Sequence, residues 1–149
     1  MVPPGNTLTI YNRLDKLPHF NPDIDEDLAF QEVENFRHNL KTADVVIIST
    51  PEYAKGIPGV LKNALDWIVS SGEFIDKPTG VISVSPMPTG GNEAMRSILL
   101  TLHMIQAQIP EDATLCISQV SLKIRENGSI IDPSLQQELS IFLGRLCNK

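Results

Sequence analysis

Two short stretches hold the residues whose types and spacing suggest chemistry. One is "STPEYAKGIPGVLKNALDW" at residues 49–67, the other "SPMPTGGN" at 85–92. In the first, Thr50 precedes a proline and is driven to extended geometry, so Pro51 sets the chain direction. Glu52 and Tyr53 follow, and Gly56 and Gly59 let the backbone turn or approach another group closely. A flat aromatic ligand would find backbone N–H groups here, together with the ring of Tyr53. The second stretch offers Ser85, Pro86 and the Gly90-Gly91 pair. The residues alone leave a plainer reading open, in which the prolines stiffen a connection and Tyr53 covers a sheet edge.

Other groups that could do chemistry are dispersed. His19, His38 and His103 have no nucleophile or base beside them in the sequence. Cys116 in "TLCIS" and Cys147 in "GRLCN" lack metal-ligand spacing and sit in apolar surroundings. They read as buried or half-buried thiols of a reducing compartment. No catalytic side chain and no metal site is assigned.

Elements that would position the two stretches follow from hydrophobic periodicity. The runs "TLTIY" (7–11), "ADVVIIS" (43–49), "GVISVS" (80–85) and "ATLCISQV" (113–120) read as strands. The second and third lack polar alternation, as strands covered on both faces do. Helical spacing marks 26–41 (Phe30, Val33, Phe36, Leu40), 58–70 (Val60, Leu61, Ala64, Leu65, Ile68), 93–107 and 133–146. Asp25 or Asp27 is the expected cap of the first, and Pro58 suits the first turn of the second. Alternating strands and helices imply an α/β fold with a parallel sheet between helices. Ligands of such sheets bind at the carboxyl ends of the strands, where both stretches lie.

Composition is that of a globular domain: 149 residues, 42% hydrophobic, 20% charged, net charge −6. Scattered basic residues and an acidic balance exclude a nucleic-acid surface. No apolar run approaches the ~20 residues of a membrane span, and no signal segment is evident, so the expectation is a cytoplasmic protein.

The string from Thr50 to Trp67 closely resembles the signature of NADPH-dependent FMN reductases, a flavodoxin-like family. Its pattern is roughly T-P-E-Y-x-x-x-x-P-G-x-L-K-N-x-x-D-W, which this chain fits throughout. "LPHFNPDID" (17–25) and "DKPTGVISVSP" (76–86) resemble the same family. The resemblance implies one flavodoxin-like domain over 1–149, a three-layer parallel sheet with helices on both faces. It implies FMN as cofactor and NAD(P)H as co-substrate, with hydride passing through flavin to a flavin, quinone, azo or similar acceptor. Pro51, Glu52 and Tyr53 would meet the isoalloxazine edge, mainly through backbone, with Tyr53 flanking the ring. Ser85, Pro86, Gly90 and Gly91 would face its pyrimidine side. Ala54 stands where many members carry Asn. Lys62 and Asp66 read as a helical pair, Lys55 as a solvated lysine, and Trp67 as packed under the sheet or at a subunit contact. A homodimer or homotetramer through helix 58–70 is expected.

The chain departs from the family at its amino end. Residues 7–11 match the family's second strand, and the G-S-x-R-x-x-S-x-N loop that holds the FMN phosphate has no counterpart. The expectation is a domain missing the first βα unit, with 7–11 shifted to pair with 45–49 in a four-stranded sheet. Losing three or four charge-assisted bonds, each ~1.5–3 kcal/mol, would reduce FMN affinity to ~100 µM or worse. The "PTGGN" turn (88–92) is then the remaining candidate for the phosphate. The alternative function is a flavin-free α/β remnant or truncated form serving as a non-catalytic subunit or binding module.

Overall fold

The computed structural model describes residues 2–25 and 30–147. Three parallel strands, β1 (Val46–Pro51), β2 (Thr79–Val84) and β3 (Thr114–Ile117), lie side by side in that order. Ile48 is paired with Val81, and Val81 with Thr114. The helices are α1 (Pro22–Asp25), α2 (Gln31–Thr42), α3 (Gly59–Asp66), α4 (Asn92–Met104), α5 (Val120–Lys123) and α6 (Pro133–Cys147).

The unbroken apolar runs of β1 and β2 are explained by helices on both faces. Val46, Ile48, Val81 and Cys116 point into a core shared with α2, α3 and α4. Val45, Ile47, Ile82 and Leu115 point the other way, onto Phe142 and Leu146 of α6. The period of two along each strand separates the sets. Gly80 permits the α6 contact, because a Cβ there would lie 2.4 Å from Leu146 Cδ1 and 2.6 Å from Phe142 Cζ.

Residues 7–11 correct one expectation. They form no strand, and the sheet has three strands among the described residues instead of four. Leu8 and Ile10 are exposed (59% and 80%). Tyr11 instead turns onto α2, its ring 5.2 Å from that of Phe36. Arg13 fixes the same segment with a two-pronged pair to Glu32 of α2, at 2.7 and 3.1 Å. The segment is thus anchored to α2 and makes no ladder with β1, whose outer edge has no strand partner among the described residues. The helix expected over 26–41 is seen as Gln31–Thr42. Its N-cap is Phe30, without a side-chain cap bond; Asp25, one of the two expected caps, ends α1 instead, and the other, Asp27, lies outside the described residues.

The second half of the Thr50–Trp67 motif is structural, as expected. Lys62 pairs with Asp66. Asn63 accepts from the Phe20 amide at 2.8 Å and donates to the Pro18 carbonyl at 2.9 Å. Trp67 Nε1 donates to the same carbonyl at 2.8 Å. Phe20 and Phe30 meet the Trp67 ring edge-on, and Trp67 is 1% exposed. Trp67 therefore sits in the chain's own core, where α3 grips the "LPHF" loop.

Candidate flavin site

The carboxyl ends of β1 and β2 feed two loops, and each has a defined shape. After β1, Tyr53 and Gly56 exchange two backbone bonds, at 2.9 and 3.0 Å, around Ala54 and Lys55. Both central residues have positive φ, 50° and 60°. That is the geometry of a type I′ turn, which Asn and Gly favour and Ala does not. The turn carries Tyr53 outward, leaving that residue 64% exposed.

After β2, Ser85 is buried and its hydroxyl accepts from the Met87 amide at 3.1 Å. Its own amide donates to the Ile117 carbonyl at 2.9 Å. Pro86, Met87, Pro88 and Thr89 are exposed at the rim, whereas Gly90 and Gly91 are buried. Gly91, with φ of 76°, begins α4, and a Cβ there would lie 2.2 Å from Ser83 Oγ. Its lack of a side chain answers a packing demand from below.

Glu52 joins the loops. Its Oε2 accepts from the Glu93 amide at 3.0 Å and the Ala94 amide at 3.2 Å, in the first turn of α4. Those amides have no acceptor inside the helix. The carboxylate caps them and complements the helix dipole. The same carboxylate, after burial, raises the thiol pKa of half-buried Cys116 at the end of β3. Cys147, also half-buried, is likewise a free thiol.

The structure thus brings Pro51, Glu52, Tyr53, Ser85, Pro86, Gly90 and Gly91 to one end of the sheet. Tyr53, Pro51 and Pro86 stand outward, while Ser85, Gly90 and Gly91 shape the rim from beneath. An open cleft of about 770 Å³ is lined by Val120, Ser121, Ile124, Arg125, Glu126 and Asn127, none of which is among these seven. Among the described residues no cluster of His, Cys, Asp or Glu could hold a metal, and no helix is long and apolar enough to cross a membrane.

A family model described as NADPH-dependent FMN reductase matches residues 7–121. The chain belongs to the NADPH-dependent FMN reductase family. A quinone reductase of Pseudomonas putida is 40% identical over 103 residues, which are 64% of this chain and 54% of that protein. This chain thus matches little more than half the length of that relative. An NAD(P)H-dependent FMN reductase of Pseudomonas aeruginosa is 30% identical over 146 residues, 93% of this chain and 78% of that protein. In solved structures, the flavoenzyme NAD(P)H:(acceptor) oxidoreductase FerB of Paracoccus denitrificans superposes with a TM-score of 0.78 at 26% identity. That match covers 89% of this chain and 76% of FerB.

Membership in the FMN reductase family allows the loops to be tested against FMN. The isoalloxazine ring fits the observed chemistry: an exposed Tyr53 beside an exposed Pro51, and an adjacent rim at Pro86–Thr89. The phosphate does not fit the "PTGGN" turn, because Glu52 already fills the amides of the helix behind it. Sequence reasoning missed this use of the Glu52 side chain, as well as Ser83 beneath Gly91 and the exposed Met87. A Glu after a strand-end proline, with a capless Gly-Gly helix start downstream, was the available signal.

Proposed function

We propose that this chain is a cytoplasmic flavin-dependent NAD(P)H oxidoreductase that delivers reducing equivalents from NAD(P)H, through FMN, to a flavin, quinone, azo or similar small acceptor. The observation that carries the reading is the pair of loops joined through Glu52 at the carboxyl end of the sheet, one of them bearing the family motif. Pro51, Glu52 and Tyr53 lie along one edge of the ring, and the Tyr53 ring flanks it. Pro86 lies along the pyrimidine side, with Ser85, Gly90 and Gly91 holding that loop in shape. Bound FMN supplies the hydride and electron transfer, which asks the protein for positioning and electrostatics more than for an acid or base. No side chain is assigned a catalytic proton.

FMN is held weakly by these residues, at ~100 µM or worse, because ring contacts dominate and Glu52 occupies the α4 amides that could meet the phosphate. Riboflavin binds about as well. A homodimer or homotetramer forms through α3 and the residues after it, where Val60 and Val69 are 44% and 45% exposed. Trp67 supports that face from inside.

A fluorescence-quenching titration with FMN and riboflavin, paired with NADPH oxidation in the presence of a quinone, tests the reading. Similar weak affinities and quinone-dependent oxidation are expected. No binding of either flavin at millimolar concentration would favour the second reading, a flavin-free binding module. That alternative draws support from the occupied α4 amides, which leave the phosphate no helix start in these loops.

A further inference from the structure

The first turn of α4 is capped from outside its own segment. Gly91 has no side chain to offer, and no side-chain cap arises at that position. The acceptor comes instead from Glu52, whose Oε2 takes both the Glu93 and Ala94 amides from 41 and 42 residues away in sequence. The loop after β1 is closed by the Tyr53–Gly56 bridge, and the loop after β2 is held by the Ser83–Gly91 bond and by bonds to the segment after β3. The Glu52 carboxylate is a direct polar tie between them.

We propose that Glu52 is a positioning residue: its carboxylate clamps the loop after β1 to the start of α4, so that the two loops meet a flavin ring as one pre-set unit. This role rests on the flavin reading above. A ligand that contacts both loops binds more tightly when their relative placement is fixed beforehand. The same carboxylate supplies the negative charge at the helix start, so the α4 amides do not recruit the flavin phosphate. Glu52 thereby makes this end of the sheet a site for the ring.

A glutamine at 52 can keep the clamp while losing the charge, since one oxygen accepts both bonds. An alanine removes both. Cys116 reports on the charge without any flavin. Its thiol pKa is raised first by burial and then by Glu52, and its Cβ lies 3.7 Å from where a Cβ on Gly90 would stand.

The test uses the full chain as wild type, Glu52→Gln and Glu52→Ala. Three quantities are read: riboflavin affinity by fluorescence quenching, hydrogen exchange of the Glu93 and Ala94 amides by NMR, and the pH dependence of Cys116 alkylation by peptide mass spectrometry, which separates it from Cys147. Glu52→Ala is expected to weaken riboflavin about 3- to 30-fold, the range set by the worth of a helix cap. It should also speed exchange of the two amides by about tenfold. Glu52→Gln is expected to stay within about threefold of wild type in affinity, with both amides protected. Both variants should shift Cys116 alkylation to lower pH. If Glu52→Ala does not fold, Glu52→Asp takes its place, keeping the charge and shortening the reach, with the same loss of amide protection expected. Amides as protected in Glu52→Ala as in wild type, or unchanged riboflavin affinity there, would overturn the clamp and leave the flavin reading standing. A wild-type chain that binds no riboflavin would overturn the flavin reading and this role with it.

Discussion

The Ser83 hydroxyl donates to the Gly91 carbonyl at 2.8 Å, binding the penultimate residue of β2 to the residue that starts α4. Strand and helix meet so closely there that position 91 tolerates only hydrogen. Gly91→Ala adds left-handed strain at φ 76° and a Cβ 2.2 Å from Ser83 Oγ. A loss of about 2–4 kcal/mol in folding stability is expected, measured by urea unfolding. Adding Ser83→Ala should return part of it by removing the opposing oxygen. A Gly91→Ala chain of wild-type stability would show that the helix start can move.

The turn at Ala54 and Lys55 predicts a gain. Ala54 occupies φ 50° without a side chain that favours it. Replacement by Gly relieves about 1 kcal/mol of left-handed strain, and part of this is lost to the greater freedom of the unfolded chain. Ala54→Asn offers the same relief with less entropy cost. Thermal unfolding should show a raised midpoint for Ala54→Asn; a lowered one would mean the turn relaxes in solution to another type.

Gly80 predicts a loss on the opposite face. A methyl group at 80 overlaps both Phe142 and Leu146. Gly80→Ala should cost about 1–3 kcal/mol, as overpacking does. Combining it with Leu146→Ala should cost less than the sum of the two separate changes. Strict additivity in the double-mutant cycle would place the helix elsewhere.

Tyr11 predicts a pH dependence. Its phenol oxygen is buried with no hydrogen-bond partner among the described residues. Burial and then the Glu32 carboxylate raise its pKa, with Arg13 pulling the other way. A folded-state value above the unfolded one, near 10, makes a contribution to stability that is whole below about pH 10 and lost as pH rises through the folded value. Tyr11→Phe should remove that alkaline loss. Near neutrality it should leave stability unchanged or raise it by up to about 1 kcal/mol, since an unpartnered hydroxyl is deleted. A drop of more than 1 kcal/mol near neutrality would reveal a hydroxyl partner.

The elements that could be read in advance are those whose environment is written locally. "VVIIS" and "GVISVS" announce strands covered twice, and the Val33, Phe36 and Leu40 stripe announces the buried side of α2. Residues 7–11 have comparable β-propensity and form no strand, because propensity describes a residue's fit to a sheet and is silent on whether an edge is within reach. The site shows the same division. Tyr53 stands outward at the strand end as its position suggested. The partner of Glu52 lies 41 residues downstream, and no local pattern joins them. Gly91 is expected at the pyrimidine side of a flavin, and what its missing side chain makes room for in the fold is Ser83.

The packing of α6 bears on how the chain matures during synthesis. Val45, Ile47, Ile82 and Leu115 are covered by residues as late as Phe142 and Leu146. Among the described residues, the hydrophobic core on the α2–α3–α4 side of the sheet draws on nothing beyond Cys116. A nascent chain can therefore close that side while the other stays bare until residue 146 clears the ribosome. At about 5–20 residues per second, the roughly thirty residues after Cys116 leave it uncovered for a few seconds. Through that interval the apolar face of the sheet is open to chaperones and to neighbouring nascent chains, so arrival of α6 is the step that covers it.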